Sequence, residues 1–381
     1  MKQNWEYKKL GDVATFINGY PFKPSEWTTE GLPIIRIQNL NNPFAEYNYF
    51  DKTLDGRYIV KSGDVLISWS GTLGVYEWSG KQALLNQHIF KVLFDKGKIN
   101  KAYFKYVVSS RIEEMKSKVH GITMQHITKG DFDKTTIPVP PIDEQQRIVA
   151  ELDLLTEVID KQKMQLKELD TLAQSIFHDM FGDPIENEKG WDIRPLERVV
   201  DATCTLSYGI VQTGDDVEDG VPVVRPIDMY STYVTSLGLK KTTKEISDSY
   251  KRTILKGSEL LLCIRGATGI VAMASIDLKG CNVGRNIVPI SFSSCVIRDF
   301  AYYVFKTKSM FQEIQNKTHG IALQGINVKD VRLLPIILPP LALQQKFADK
   351  IQSIEKQKTA INQSIADTQK LLDYTMDKYF G

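Results

Sequence analysis

Glu6-Tyr7-Lys8 and Glu114-Met115-Lys116 are Glu-x-Lys triplets of the kind nucleases use, but no Pro-Asp pair precedes either one. The second triplet falls inside a helical pattern, where a surface salt pattern explains it better. Five histidines (His88, His120, His126, His178, His319) form no ligand set at metal spacing. Only His120 and His126 lie close together, on an expected loop, where they suit hydrogen bonding. Cys204, Cys263, Cys281 and Cys295 include no Cys-x-x-Cys pair and read as reduced core thiols. There is no Gly-x-x-x-x-Gly-Lys-Ser/Thr loop, and neither "SGTLG" (70–74) nor "RGATG" (265–269) has the Gly-x-Gly-x-x-Gly spacing of a dinucleotide site. The Asn/Asp-Pro-Pro-aromatic signature of amino-group DNA methyltransferases is also missing. Neither a catalytic residue nor a metal ligand is expected.

Polar and aromatic groups in the loops point to recognition instead. In the first half these are Tyr20, Arg36, Trp69, Ser70, Thr72, Asn86, Gln87, His88, Gln125 and His126. In the second half they are Tyr208, Arg225, Arg265, Thr268, Arg285, Asn286 and Gln324. Arg suits guanine O6/N7, and Asn or Gln suits adenine N6/N7. Lys61 and Lys129 are candidates for phosphates, which lysines and backbone amides hold. Any one of these residues could equally cap a turn. As a set they carry more weight, because both halves place polar groups at matching positions with different identities.

The elements that must position them are written twice. "IPVPPIDEQQRIV" (137–149) returns as "IILPPLALQQKFA" (336–348), and "HGITMQHITKGDF" from His120 returns as "HGIALQGINVKDV" from His319, both 199 residues on. "KSGDVLISWSGTLG" (61–74) matches "KGSELLLCIRGATG" (256–269) at 195, and "WEYKKLGDV" (5–13) matches "WDIRPLERV" (191–199) at 186. The offset drifts through the globular stretches and then holds. Loops tolerate such length changes; a segment in fixed register does not.

That segment carries a heptad seam: Ile148, Leu152, Leu155, Ile159, Gln162, Leu166, Leu169, Ala173, Ile176, Met180. Its second copy reads Phe347, Ile351, Ile354, Lys358, Ile361, Ile365, Thr368, Leu372. Prolines ahead of each run suit a helix start, and Asp143 and Glu144 favour the positive N-terminus of the first helix. Helices over about 143–180 and 342–379, packed on each other, are expected. Before each one, β-rich runs such as "DVLISWS" and "ELLLCIR" and one helical run (102–117 and 301–316) make a mixed α+β block.

The net charge of +2 is unevenly spread: residues 1–136 hold 19 basic and 14 acidic residues, and 137–182 hold 4 and 9. A polyanion lying on the first block would therefore not run along the acidic segment. The start "MKQNWEYKKLGD" has no apolar signal region, and the most apolar stretch, 333–343, is interrupted by three prolines. A cytoplasmic location is expected.

"PVPPIDEQQRIV" with its heptad helix, its second copy, and "SGDVLISWSGTLG" with "NQH" together resemble the specificity (S) subunits of type I restriction-modification enzymes. The resemblance covers essentially the whole chain. It implies an α+β fold with internal pseudo-two-fold duplication: two target-recognition domains with mixed sheets, separated by two long helices forming an antiparallel coiled coil. The implied layout is recognition domain 1 (1–136), spacer helix 1 (137–182), recognition domain 2 (183–335) and spacer helix 2 (336–381). It further implies a non-catalytic subunit that reads a bipartite, asymmetric target in double-stranded DNA, one half per domain. Its partners would be two methylation subunits and, in restricting complexes, two motor-nuclease subunits. S-adenosylmethionine, ATP and magnesium are expected on those partners and no cofactor on this chain. "LALQQKFA" lacks the acidic pair of "IDEQQRIV", so contacts of Asp143 and Glu144 do not carry over to the second copy. The alternative is a non-catalytic DNA-binding or scaffolding protein unrelated to restriction.

Overall fold

Each Pro-Pro pair runs straight into a 40-residue helix, Ile142–Phe181 and Leu341–Phe380. Proline's fixed φ and missing N–H cost nothing at a helix start. The computed structural model describes residues 5–42, 44–118, 129–320 and 325–381. They form two compact units, residues 1–163 with 363–381, and residues 164–362, so each long helix contributes a portion to both. Among the described residues no helix is long and apolar enough to cross a membrane.

The first unit has two four-stranded sheets. One runs Thr15–Asn18, Ile89–Leu93, Val65–Ser68, Gly74–Glu77, with all its pairings antiparallel. All four residues of Val65–Ser68 are buried, as suits a central strand covered on both faces. The other runs Asn48–Phe50, Leu32–Ile35, Ala83–Leu85, Ile59–Val60, and Leu32–Ile35 pairs parallel with Ala83–Leu85. A ribbon of Glu6–Lys9 and Thr136–Val139 leads into the long helix. Phe16, Phe90, Phe104 and Phe132 fill the core with Ile148 and Leu152 of the first long helix and Phe380 of the second.

In the second unit Tyr233–Val234, Val271–Ala274, Leu260–Cys263 and Ile287–Ile290 make a four-stranded sheet, and Lys241–Thr242, Val221–Val224 and Asn282–Val283 a three-stranded one. Here too the Val221–Val224 and Asn282–Val283 pair is parallel, and Asp192–Pro195 forms a ribbon with Pro335–Leu338. The core joins Phe300 and Tyr303 to Phe177, Phe181, Phe347 and Ile351 of the long helices. The first unit keeps the expected helix at 102–117 as one piece, Lys101–Lys118. The second breaks its counterpart into Arg298–Lys306 and Lys308–Asn316, because Thr307 adopts extended dihedrals and its hydroxyl caps the Met310 amide.

Within each unit the long-helix portions touch in antiparallel order. In the first, Arg147 donates to the Tyr379 hydroxyl (3.2 Å) and Gln162 to Ser364 Oγ (2.6 Å). In the second, Lys358 donates to Asp170 (2.9 Å) and the Phe177 and Phe347 rings meet at 5.6 Å. Trp5 stacks on Tyr379 at 6.3 Å.

The repeated Gln-Gln has a physical purpose. Gln145 is buried; its Oε1 accepts from the Asn100 amide (2.8 Å) and its Nε2 donates to the Pro140 carbonyl (2.8 Å). Gln344 is buried likewise, accepting from the Ile297 amide (2.9 Å) and donating to the Pro339 (2.9 Å) and Cys295 (3.1 Å) carbonyls. In both units one amide thus satisfies the free N-terminal N–H of a packed helix and the carbonyl of the Pro-Pro corner. Asp143 and Glu144 lie in the first turn of the first long helix as expected, and Glu144 also pairs with Arg147 (2.7 Å).

Candidate nucleic-acid interface

Gly19 and Gly209 hold the backbone crossings from which the polar loops extend. A Cβ on Gly19 would stand 2.0 Å from the Asn86 carbonyl oxygen, and one on Gly209 1.8 Å from that of Val283. Only glycine permits so close an approach. Next to the first crossing, Tyr20 N donates to Leu85 O (2.8 Å), Gln87 N to Tyr20 O (3.0 Å) and Asn86 N to Ile35 O (3.3 Å). Beside the second, Ile210 N donates to Val283 O (2.8 Å), Arg285 N to Ile210 O (2.8 Å) and Gly284 N to Val224 O (2.9 Å). Trp69 N reaches His88 O (3.3 Å) as Ile264 N reaches Asn286 O (2.7 Å). The same backbone frame therefore presents Asn86-Gln87-His88 in one unit and Gly284-Arg285-Asn286 in the other.

Around the first frame the structure gathers Tyr20, Arg36, Trp69, Asn86, Gln87 and His88. Gln87 Nε2 lies 3.2 Å from His88 Nε2, and the His88 backbone amide donates to Asn86 Oδ1 (3.3 Å), so Gln87 braces the imidazole and Asn86 the loop backbone. Trp69 is half-buried: it stacks on Phe90 at 5.7 Å and donates from Nε1 to Asn18 Oδ1 (3.3 Å). Tyr20 packs edge-on against Phe22 (4.9 Å) and Tyr58 (5.6 Å). Arg36 donates to Asn48 Oδ1 (3.2 Å) and lies over the Trp27 ring. Thr72 is exposed, whereas Ser70 is buried.

Arg265 and Arg285 are exposed beside the second frame, with Asn286 half-buried and Tyr208 half-exposed. Arg225 holds Asp228 through Nε and Nη2, both at 3.2 Å, and the carboxylate raises its pKa further. Its amide also binds Asp228 Oδ2 (2.8 Å), the place that Asn39 takes beneath Arg36 (3.0 Å). Thr268 is buried, and its carbonyl accepts from Gln315 (2.9 Å). Gln125, His126 and Gln324 lie outside the described residues.

The triplets do not build a metal site. Glu6 pairs with Lys8 (2.8 Å) and Glu114 with Arg111 (2.8 Å), both at the surface. Among the described residues no three His, Cys, Asp or Glu side chains are placed to hold a metal. Gln145 and Gln344 were not distinguishable as a clamp from residue type, although their recurrence 199 residues apart is the signal that marks them.

A family model described as the type I restriction modification DNA specificity domain matches this chain twice, over residues 2–171 and 188–368. The chain belongs to that family of type I restriction-modification specificity subunits. It is similar to the EcoBI specificity subunit of Escherichia coli, 24% identical over 99% of this chain and 85% of that one. The MjaVIII specificity subunit of Methanocaldococcus jannaschii is 22% identical over 93% of this chain and 86% of its own length. Among solved structures, the S subunit from M. genitalium superposes with a TM-score of 0.53 at 14% identity, covering 99% of this chain and 96% of that one. A chain from a study of assembly and conformational transition of the type I system gives 0.58 at 18% identity, covering 99% and 98%.

Proposed function

We propose that this chain is the DNA sequence-specificity subunit of a type I restriction-modification complex, binding a bipartite, asymmetric target and positioning methylation and restriction subunits. One observation carries the reading: each of the two family matches coincides with its own glycine-crossed loop frame, and the frames present different polar side chains. Two copies of one protein surface would read two copies of one base sequence, so different side chains imply different half-sites.

The finer assignments follow from it. Recognition domains at 1–136 and 183–335 alternate with spacer helices at 137–182 and 336–381, which pair as an antiparallel coiled coil by internal duplication; the antiparallel contacts within each unit support this. The subunit itself is non-catalytic and works in the cytoplasm on double-stranded DNA, with S-adenosylmethionine on the methylation subunits and ATP and magnesium on the motor-nuclease subunits. Base contacts come from the loop residues around the two frames, exposed Arg265 and Arg285 foremost. The test is to express the chain with its methylation subunit and map methylated adenines. A single split, asymmetric motif that requires the chain is expected. Methylation without a motif, or the same motif in its absence, overturns the proposal.

A further inference from the structure

We infer that the turn at 247–253 of the second unit, with Lys251 and Arg252, grips a phosphodiester of duplex DNA, and that Arg57 does so in the first unit. This rests on the DNA-specificity reading and assigns residues to it that the loop motifs did not mark. Asn282 is fully buried, a costly place for an amide unless every polar atom is used. Its Oδ1 accepts from Thr253 Oγ1 (2.7 Å) and the Val283 amide (2.9 Å), and its Nδ2 donates to the Ser247 (3.3 Å) and Tyr250 (3.4 Å) carbonyls. One side chain thereby fastens the turn to the strand that runs directly into Gly284-Arg285-Asn286. Turn and recognition loop become a single rigid piece.

Between this turn and the Ser207-Tyr208 loop lies an open groove of about 540 Å³. Lys251 and Arg252 line it, both exposed, and among the described residues neither side chain has a hydrogen-bond or ion-pair partner. Ser207 and Tyr208 add hydroxyls, the Ser249 hydroxyl is spent on the Glu245 carbonyl (2.9 Å), and Asp248 is the single carboxylate on the wall. Two adjacent cations with hydroxyls beside them suit a phosphate, whose negative charge both can share.

The first unit places a single cation at the matching turn, Arg57, which also faces Asp55 at 3.9 Å. Arg57 occupies the turn Gly56–Tyr58, 195 residues before Arg252 and just ahead of the strand Ile59–Val60. Its Nη2 donates to the Tyr58 hydroxyl (2.8 Å), and the Tyr58 ring packs on Tyr20 at 5.6 Å. An aromatic pair here replaces the buried amide, and a guanidinium again stands near residues next to the glycine crossing, Tyr20 just after Gly19 as Tyr208 is just before Gly209.

The experiment measures binding of the complex with methylation subunits to target and scrambled duplexes across a salt series. For Lys251→Ala/Arg252→Ala, as for Arg57→Ala, the slope of log affinity against log salt should fall by about one, the share of one phosphate, equally on both duplexes. Lys251→Arg/Arg252→Lys, which keeps the charges, should keep the slope. Unchanged slopes in the alanine variants, or a loss confined to the target duplex, overturn this inference. A wild-type complex with no preference for any sequence overturns the specificity reading itself, so the two failures are distinguishable.

Discussion

Ile159 and Lys358 occupy the same step of the repeat, 199 residues apart, and the two units bury them by opposite means. Ile159 is enclosed as an ordinary seam residue, with Thr156 one turn before it. Lys358 lies between two carboxylates, Glu355 and Asp170, each at 2.9 Å. The Gln145 and Gln344 clamps, by contrast, are nearly atom-for-atom alike, and so are the backbone bonds around Gly19 and Gly209. Frame and corner are shared, while the groups mounted on them differ. Where a position fixes backbone geometry, few side chains satisfy all the bonds at once; where it only fills space or faces solvent, many do.

Breaking a clamp should have the largest effect. Gln344→Ala leaves the Ile297 amide and the Cys295 and Pro339 carbonyls without their partner and should destabilise the second unit by about 4 kcal/mol. Gln145→Ala removes two such bonds and should cost about 3 kcal/mol in the first. Urea unfolding followed through Trp191, which lies in the second unit, should shift for Gln344→Ala and hold for Gln145→Ala. Equal shifts in both would mean that the clamps do not act locally.

Transplanting the first unit's solution is the next largest step. Lys358→Ile alone strands the mostly buried Glu355 and should cost about 2 kcal/mol, less than a fully enclosed pair would. Lys358→Ile with Glu355→Thr reproduces Ile159 and Thr156 and should return to within about 1 kcal/mol of wild type. Burial lowers the Lys358 pKa, but hydrogen bonds to Glu355 and Asp170 outweigh it and the net shift is upward. A raised folded-state pKa stabilises fully below the unfolded lysine value and is lost as pH rises through the folded one. The wild type should therefore fall behind the double variant only above about pH 10.5. A gap already present at neutral pH would show that the ammonium adds nothing.

How much of this was legible follows from the same division. Every residue of both heptad seams is buried or half-buried, because a periodic apolar stripe has few ways to escape water. Full burial falls near the ends of that stripe, at Ile148, Leu152, Phe347 and Ile351, where the helices also meet the α+β cores. The clamp was illegible because each glutamine joins its own Pro-Pro corner to backbone groups 45 to 49 residues away, and spacing says nothing about the distant ones. Thr307 read as helix interior, although its hydroxyl is placed to start a second helix. Within the candidate interface, Asn86, Gln87 and His88 were legible as candidates by residue type, but their match to Gly284-Arg285-Asn286 was not. The burial of Ser70 and Thr268 was not, since a short polar side chain suits a loop tip and a loop root alike.

The finest test of the comparison lies at a step where the frames are matched and the side chains are both long and polar but differ in type. Gln87 and Arg285 each donate their amide to the residue after a glycine crossing, at 3.0 and 2.8 Å. Gln87 is half-buried against His88, whereas Arg285 is exposed with its guanidinium available for the bidentate contact that favours guanine. Arg285→Ala should cost on the order of 1–2 kcal/mol and relax a single base pair in one half-site. Gln87→Ala should relax one base pair in the other half-site, with a smaller loss because Gln87, half-buried against His88, offers DNA less of its amide. Arg285→Gln should shift preference at that base pair from guanine towards adenine, as the glutamine amide matches N6/N7. Sequencing the adenines methylated by each variant complex reads all three outcomes. If Arg285→Ala relaxed both half-sites together, the two frames would not be reading separate sequences, and the division between shared frame and private side chain would be lost.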